Sequence, residues 1–146
     1  MKGTPIVVLL VEDEMAHAEI VRRNFASSHI ANQLMHVTDG QQALDYLYRK
    51  GEFKDPKAAP RPGLILLDLR LPKVDGLEVL KTVKGDPDLN SIPVVILTTS
   101  AAETDLVKAY ECRANSYVVK PMDFAQFVDL TRTLGYYWLV WNTSPH

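Results

Sequence analysis

The chain reads as one α/β domain, a doubly wound parallel sheet of five strands alternating with five helices. Three observations predict this. Solid apolar runs recur without polar alternation: Ile6–Val11 (IVVLLV), Leu64–Leu67 (LILL), Val94–Leu97 (VVIL) and the weaker Leu34–Val37 and Tyr117–Val119. That is the pattern of strands covered on both faces, hence of a parallel sheet. Between the runs, apolar residues recur three and four positions apart, as on one face of a helix. Finally, 146 residues with 47% hydrophobic and 23% charged side chains suit a single domain with a real core, spanning 1–146 and ending in an aromatic extension at 136–146.

Along the chain, Ile6–Val11 runs into Glu12–Asp13, and Ala18, Val21 and Phe25 mark the helix that follows. Leu34–Val37 precedes a second helix, which leads to Gly51–Pro62 (GEFKDPKAAPRP). That stretch carries three prolines and several charges and reads as an extended surface loop. Because it enters a strand, it belongs at the opposite end of the sheet from the acidic residues, where it would modulate partners or stability and take no part in chemistry. Leu64–Leu67 ends in Asp68, and Leu77, Leu80 and Val83 mark the third helix. Val94–Leu97 ends in Thr98–Thr99–Ser100, Leu106 and Tyr110 follow, and Tyr117–Val119 ends in Lys120–Pro121 before Phe127, Leu130 and Leu134. No internal repeat is present. In a doubly wound sheet, ligands bind outside the carboxyl ends of the strands, so these four strand ends are where chemistry is expected.

Bulk charge narrows the function. A formal net charge of −2 without a long basic run argues against direct binding to nucleic acid. The single cysteine, Cys112, cannot close an intramolecular disulfide, and the four histidines His17, His29, His36 and His146 show no metal-ligand spacing with it, which points to a reducing, cytoplasmic setting. No apolar run reaches the roughly 20 residues of a membrane span, and Ile6–Val11 is too short for a signal peptide. A soluble protein is expected.

Glu12, Asp13 and Asp68 converge at the strand ends in such a sheet. Two carboxylates about 4 Å apart repel by roughly 4 kcal/mol at an effective dielectric near 20, so a counter-ion is needed. A small all-oxygen ligand set with positions left open for water and phosphate suits Mg²⁺ better than zinc or caged calcium. Lys120 adds a positive charge and Thr98 a hydroxyl donor. Carboxylate, divalent cation, lysine and hydroxyl together make a phosphoryl-transfer site. Each feature alone has a plainer reading: Glu12–Asp13–Glu14 and Thr98–Thr99–Ser100 as helix caps, Asp68 as a turn residue, Lys120–Pro121 as an ordinary loop. Their joint placement on four strand ends is what capping does not require.

VEDE at 11–14, LDLRLPKVDG at 67–76, VVILTTSA at 94–101 and YVVKP at 117–121 resemble, in this order, the motifs of the receiver domain of two-component response regulators. The resemblance covers nearly the whole chain, and the separations between Asp68, Thr98 and Lys120 agree with it. It implies a flavodoxin-like sheet of order 2-1-3-4-5. It makes Asp68 the acceptor of a phosphoryl group from a sensor histidine kinase or a histidine phosphotransfer protein. Asp13 and Asp68 would then bind Mg²⁺ directly, Glu12 through water, and the backbone carbonyl of Arg70 would complete the protein ligands. Lys120 would pair with the phosphoryl oxygens, beside a cis bond to Pro121. Thr98 and Tyr117 would be the switch residues, and Arg70 and Ser100 would tune the lifetime of the phosphate. The readout would be the surface of the fourth helix, fifth strand and fifth helix. Such a domain is a signalling module, not an enzyme in the ordinary sense; its chemistry is its own phosphorylation and dephosphorylation.

The stretch after the expected fifth helix is too short for a DNA-binding or enzymatic output domain, so the chain is expected to act by docking or by passing its phosphate onward. The six apolar or aromatic residues at 136–141, with Tyr137, Trp138 and Trp141, either cap the core or form an interface, as in a homodimer. This tail and the long loop before the third strand are similar to single-domain regulators associated with bacterial phytochrome kinases. Two other readings compete. A haloacid-dehalogenase-type phosphatase needs a second acid two residues after its nucleophile, where Arg70 stands. A pseudo-receiver would keep the fold and never take phosphate.

Overall fold

The computed structural model describes residues 6–27, 32–69, 71, 73–98, 111, 116–119 and 125. Strands β1 (Ile6–Val11), β2 (Asn32–Val37), β3 (Leu64–Asp68), β4 (Val94–Thr98) and β5 (Ser116–Val119) form a parallel sheet in the order β2-β1-β3-β4-β5. Helices α1 (Met15–Ala26), α2 (Gly40–Tyr48) and α3 (Gly76–Gly85) are the crossovers among the described residues. Of the expected fourth and fifth helices only single helical residues, Glu111 and Ala125, are among those described; the rest fall outside them.

Successive strand residues point to opposite faces, and the two faces bury separate cores. Leu9, Val11, Ile65, Leu67, Val94 and Ile96 pack with Ala43 and Tyr46 of α2 and Val79, Leu80 and Val83 of α3. Val8, Leu10, Leu64, Leu66, Val95 and Leu97 pack with Ala18, Val21 and Phe25 of α1. Burial on both sides is why β1 and β3 read as unbroken apolar runs. Strand β2 lies at the sheet edge and begins two residues before its apolar run; Gln33 there is exposed.

The stretch before β3 lies largely at the surface, as expected, but it is not extended. Gly51–Phe53 forms a 3-10 turn, and the Phe53 ring rests against Tyr46 at 5.3 Å between centroids. Ala59 is buried in the core, the Tyr46 hydroxyl donates to the Pro60 carbonyl at 2.7 Å, and Arg61 Nη2 donates to the Asp88 carbonyl at 2.6 Å. The loop is fastened because the end of α2 presents donors that its carbonyls satisfy, with two apolar residues closing the core beneath. Its charges hid this in the sequence.

Tyr46 carries a pH signature. Burial pushes its phenol up to about 12, while the neighbouring Arg49 guanidinium acts in the opposite direction. The folded state therefore keeps the neutral phenol where the unfolded chain, with its pKa near 10, ionises. Tyr46 therefore contributes no pH dependence below about pH 10, and its contribution to stability is lost between about pH 10 and 12, by up to roughly 1.4 kcal/mol per pH unit. In an absorbance titration of tyrosinate, one of the six tyrosines is expected to ionise only near pH 12 or on alkaline unfolding, and that step to vanish in Tyr46→Phe.

Candidate metal centre

The sheet register builds the site. Val11 pairs with both Val37 and Leu67, so the chain leaving β1 and the last residue of β3 emerge side by side at the carboxyl edge. Here too the strand order reverses, β1 crossing to β2 on one side and β3 lying on the other. Glu12, Asp13 and Asp68 each bring a carboxylate oxygen to within 4.8 Å of the others. Glu12 is fully buried, Asp68 is 3% exposed, and Asp13 faces solvent.

Glu12 and Asp68 are held by backbone. The amide of Glu12 donates to the Val37 carbonyl at 3.0 Å, and His36 Nε2 donates, as that tautomer, to the Glu12 carbonyl at 2.8 Å. The Glu12 carboxylate accepts from the Glu14 amide at 3.2 Å, and His17 Nδ1 lies 3.1 Å from the Glu14 carboxylate. Glu14 occupies the N-cap position of α1 but makes no side-chain capping bond. Side-chain capping therefore explains neither Glu14 nor the Glu12–Asp13 pair. Asp68 belongs to the strand itself, so it is not a turn residue. Beyond it, Leu69 donates to the Leu97 carbonyl at 3.3 Å, and the loop closes where Gly76 donates back to the Leu69 carbonyl at 3.1 Å. Asp75 caps α3 by accepting from the Leu77 amide at 2.7 Å.

Gly76 has a steric reason. A Cβ there would collide with the Asp68 carbonyl oxygen and lie 2.6 Å from Leu69 Cα, so α3 starts directly against the backbone that carries the acid.

Three carboxylates in one cluster, two of them buried, match a hard divalent cation with oxygen ligands, the charge balance that their mutual repulsion calls for. Among the described residues, this is the one cluster of three or more potential metal ligands. A cleft of about 300 Å³, lined by Tyr46, Tyr48, Arg49, Arg61, Asp86 and Leu89 among others, sits at the opposite end of the sheet and shares no residue with it.

Of the other residues singled out in the sequence, Thr98 ends β4 with its backbone in register with Val119, and Tyr117 lies in β5 opposite Ile96. Their side chains, and all of Arg70, Ser100, Lys120, Pro121, Tyr137, Trp138 and Trp141, lie outside the described residues. Sequence reasoning missed Asp39 and Lys73, an ion pair at 3.5 Å beside the site. The Asp39–Gly40 pair ahead of a helical pattern was the available signal, a side-chain cap followed by a residue without Cβ.

Residues 8–132 match the family model described as response regulator receiver domain. The chain is 43% identical over 141 residues to the probable methanogenesis regulatory protein FilR2 of Methanothrix harundinacea, covering 97% of this chain and 88% of that one. It is 41% identical over 141 residues to the response regulator Rcp1 of Synechocystis sp., covering 97% and 94%. The crystal structure of the Mn²⁺-bound form of Rcp1 matches with a TM-score of 0.79 over 97% of this chain and 100% of that one. The phosphorylated cyanobacterial phytochrome response regulator RcpA is 38% identical and matches with a TM-score of 0.81, covering 98% and 100%.

Proposed function

The chain belongs to the response-regulator receiver family, and from that we propose that Asp68 takes a phosphoryl group from a phosphohistidine in a Mg²⁺-dependent reaction. The observation that carries this reading is the convergence of Glu12, Asp13 and Asp68 at the switch point of the sheet. An Asp68 carboxylate oxygen attacks the donor phosphorus, the P–N bond to the imidazole breaks, and the released nitrogen keeps the electron pair. The product is an acyl phosphate on Asp68. Held by Asp13, Asp68, the Arg70 carbonyl and, through water, Glu12, Mg²⁺ would supply the positive charge that the phosphoryl oxygens need. Lys120 pairs with those oxygens from the end of β5.

The added phosphoryl group brings about −1.5 to −2 charges to Asp68. Thr98 moves to donate to it, Tyr117 turns into the space vacated, and the surface around β5 and its flanking helices changes packing, a population shift biased by the phosphate. Arg70 and Ser100 set how long the acyl phosphate survives. The resemblance to Rcp1 and RcpA, the latter a phytochrome response regulator by name, favours a phytochrome-type histidine kinase as donor. The aromatic tail around Trp138 serves as a homodimer contact.

With an autophosphorylated bacterial phytochrome kinase as donor, label is expected to pass to the wild-type chain with Mg²⁺ present and not after chelation. Retention of all label on a panel of such kinases, with small donors still accepted, would remove the phytochrome partner and leave the phosphoacceptor chemistry standing.

A further inference from the structure

We infer that Asp39 is a positioning residue for the acceptor site, acting through Lys73; the inference rests on the phosphoacceptor reading and adds what holds that site in shape. The end of β2 and the start of α2, joined at Asp39, touch the two halves of the carboxylate cluster. On one side, the Val37 carbonyl accepts from the Glu12 amide at 3.0 Å and His36 Nε2 donates to the Glu12 carbonyl at 2.8 Å. On the other, α2 starts hard against the loop that follows Asp68. A Cβ on Gly40 would collide with the Val74 carbonyl oxygen and lie 2.7 Å from its carbon.

Asp39 sits at the centre of this junction, 5% exposed. Its Oδ1 accepts from the Gln42 amide at 2.7 Å, capping α2, and its Oδ2 lies 3.5 Å from Lys73 Nζ. Lys73 belongs to the loop after Asp68 and adopts a left-handed backbone, φ 65°. That conformation is costly for a residue with a Cβ, and although the Lys73 side chain is largely exposed, its ammonium reaches a carboxylate that is not. The buried carboxylate of Asp39 is placed to hold the loop in that conformation. One junction thus fixes the distance between the Glu12–Asp13 segment and the Asp68 loop, the distance on which a shared cation depends.

Two substitutions remove the charge pair and spare the rest: Asp39→Asn keeps a good N-cap, and Lys73→Met keeps the length of the side chain and leaves the backbone cost at position 73 unchanged. We would measure amide hydrogen exchange at Gly76, whose N–H closes the loop on Leu69, and Mn²⁺ affinity by calorimetry. Each single variant is expected to speed Gly76 exchange and weaken Mn²⁺ binding by on the order of fivefold, with central-strand exchange unchanged. The double variant should lose no more than either single one, and Lys73→Arg should restore both readouts. Additive losses, unchanged Mn²⁺ affinity, or a change confined to global stability would each overturn the inference. Wild-type protein that binds no Mn²⁺ would instead overturn the phosphoacceptor reading, a result seen before any variant is compared.

Discussion

Gly76→Ala is expected to lower the melting temperature by about 6–12 °C and to slow phosphate uptake together. The new Cβ would meet the Asp68 carbonyl and the Leu69 backbone, neither of which can rotate away as a flexible side chain could. Overpacking against backbone costs about 3 kcal/mol, and a domain of this size loses roughly 2–4 °C per kcal/mol. Relief comes only by moving α3 outward or by pulling the end of β3 out of register, and the second displaces Asp68. Gly85, also in α3, is the control: a Cβ there meets nothing within 4 Å, so Gly85→Ala should leave both readouts near wild type. Thermal melting and the rate of reaction with a small phosphodonor check both. A Gly76→Ala protein that melts and reacts like wild type would mean that α3 does not constrain the acceptor.

The second large effect is electrostatic and has opposite signs with and without metal. Asp13 is the solvent-facing member of three carboxylates whose oxygens lie within 4.8 Å. Removing its charge by Asp13→Asn relieves repulsion in the metal-free protein and takes away part of the attraction for a cation. The melting temperature without metal should therefore rise slightly. Mg²⁺ affinity should fall by about 30- to 100-fold, roughly 2–3 kcal/mol, because a divalent ion loses a charged ligand in a partly shielded site. Melting in chelator and in Mg²⁺ reads both signs. A variant destabilised in chelator would mean that Asp13 is there to support the fold.

How far the sequence reveals this protein depends on how local the cause is. Strand β1 could be read residue for residue, because burial on both faces leaves its run Ile6–Val11 without interruption. β3 and β4 extend one residue past their apolar runs, to Asp68 and Thr98, since backbone pairing continues after hydrophobic character stops. The same overrun keeps Asp68 3% exposed inside the ladder and out of the turn. The carboxylate cluster was legible because parallel register forces neighbouring strand ends together. What could not be read were contacts set by three-dimensional approach: Gly40 against Val74, Asp39 against Lys73, and Phe53 and Ala59 closing the core from a loop full of charges. Lys84 is a further case. It is 8% exposed on α3, with Nζ donating to the Asn90 and Ile92 carbonyls at 3.2 and 2.9 Å, and nothing in its helical position distinguishes it from a solvated lysine.

The central claim is that Asp68 is a metal-dependent phosphoacceptor, and intact mass after incubation with Mg²⁺ and phosphoramidate or acetyl phosphate tests it most directly. Wild type should gain one phosphoryl group, mapped to the peptide containing Asp68, while Asp68→Asn and wild type pretreated with chelator gain none. No gain by wild type, with Mg²⁺ binding established separately, would contradict the account and leave a receiver fold that binds a cation and takes no phosphate.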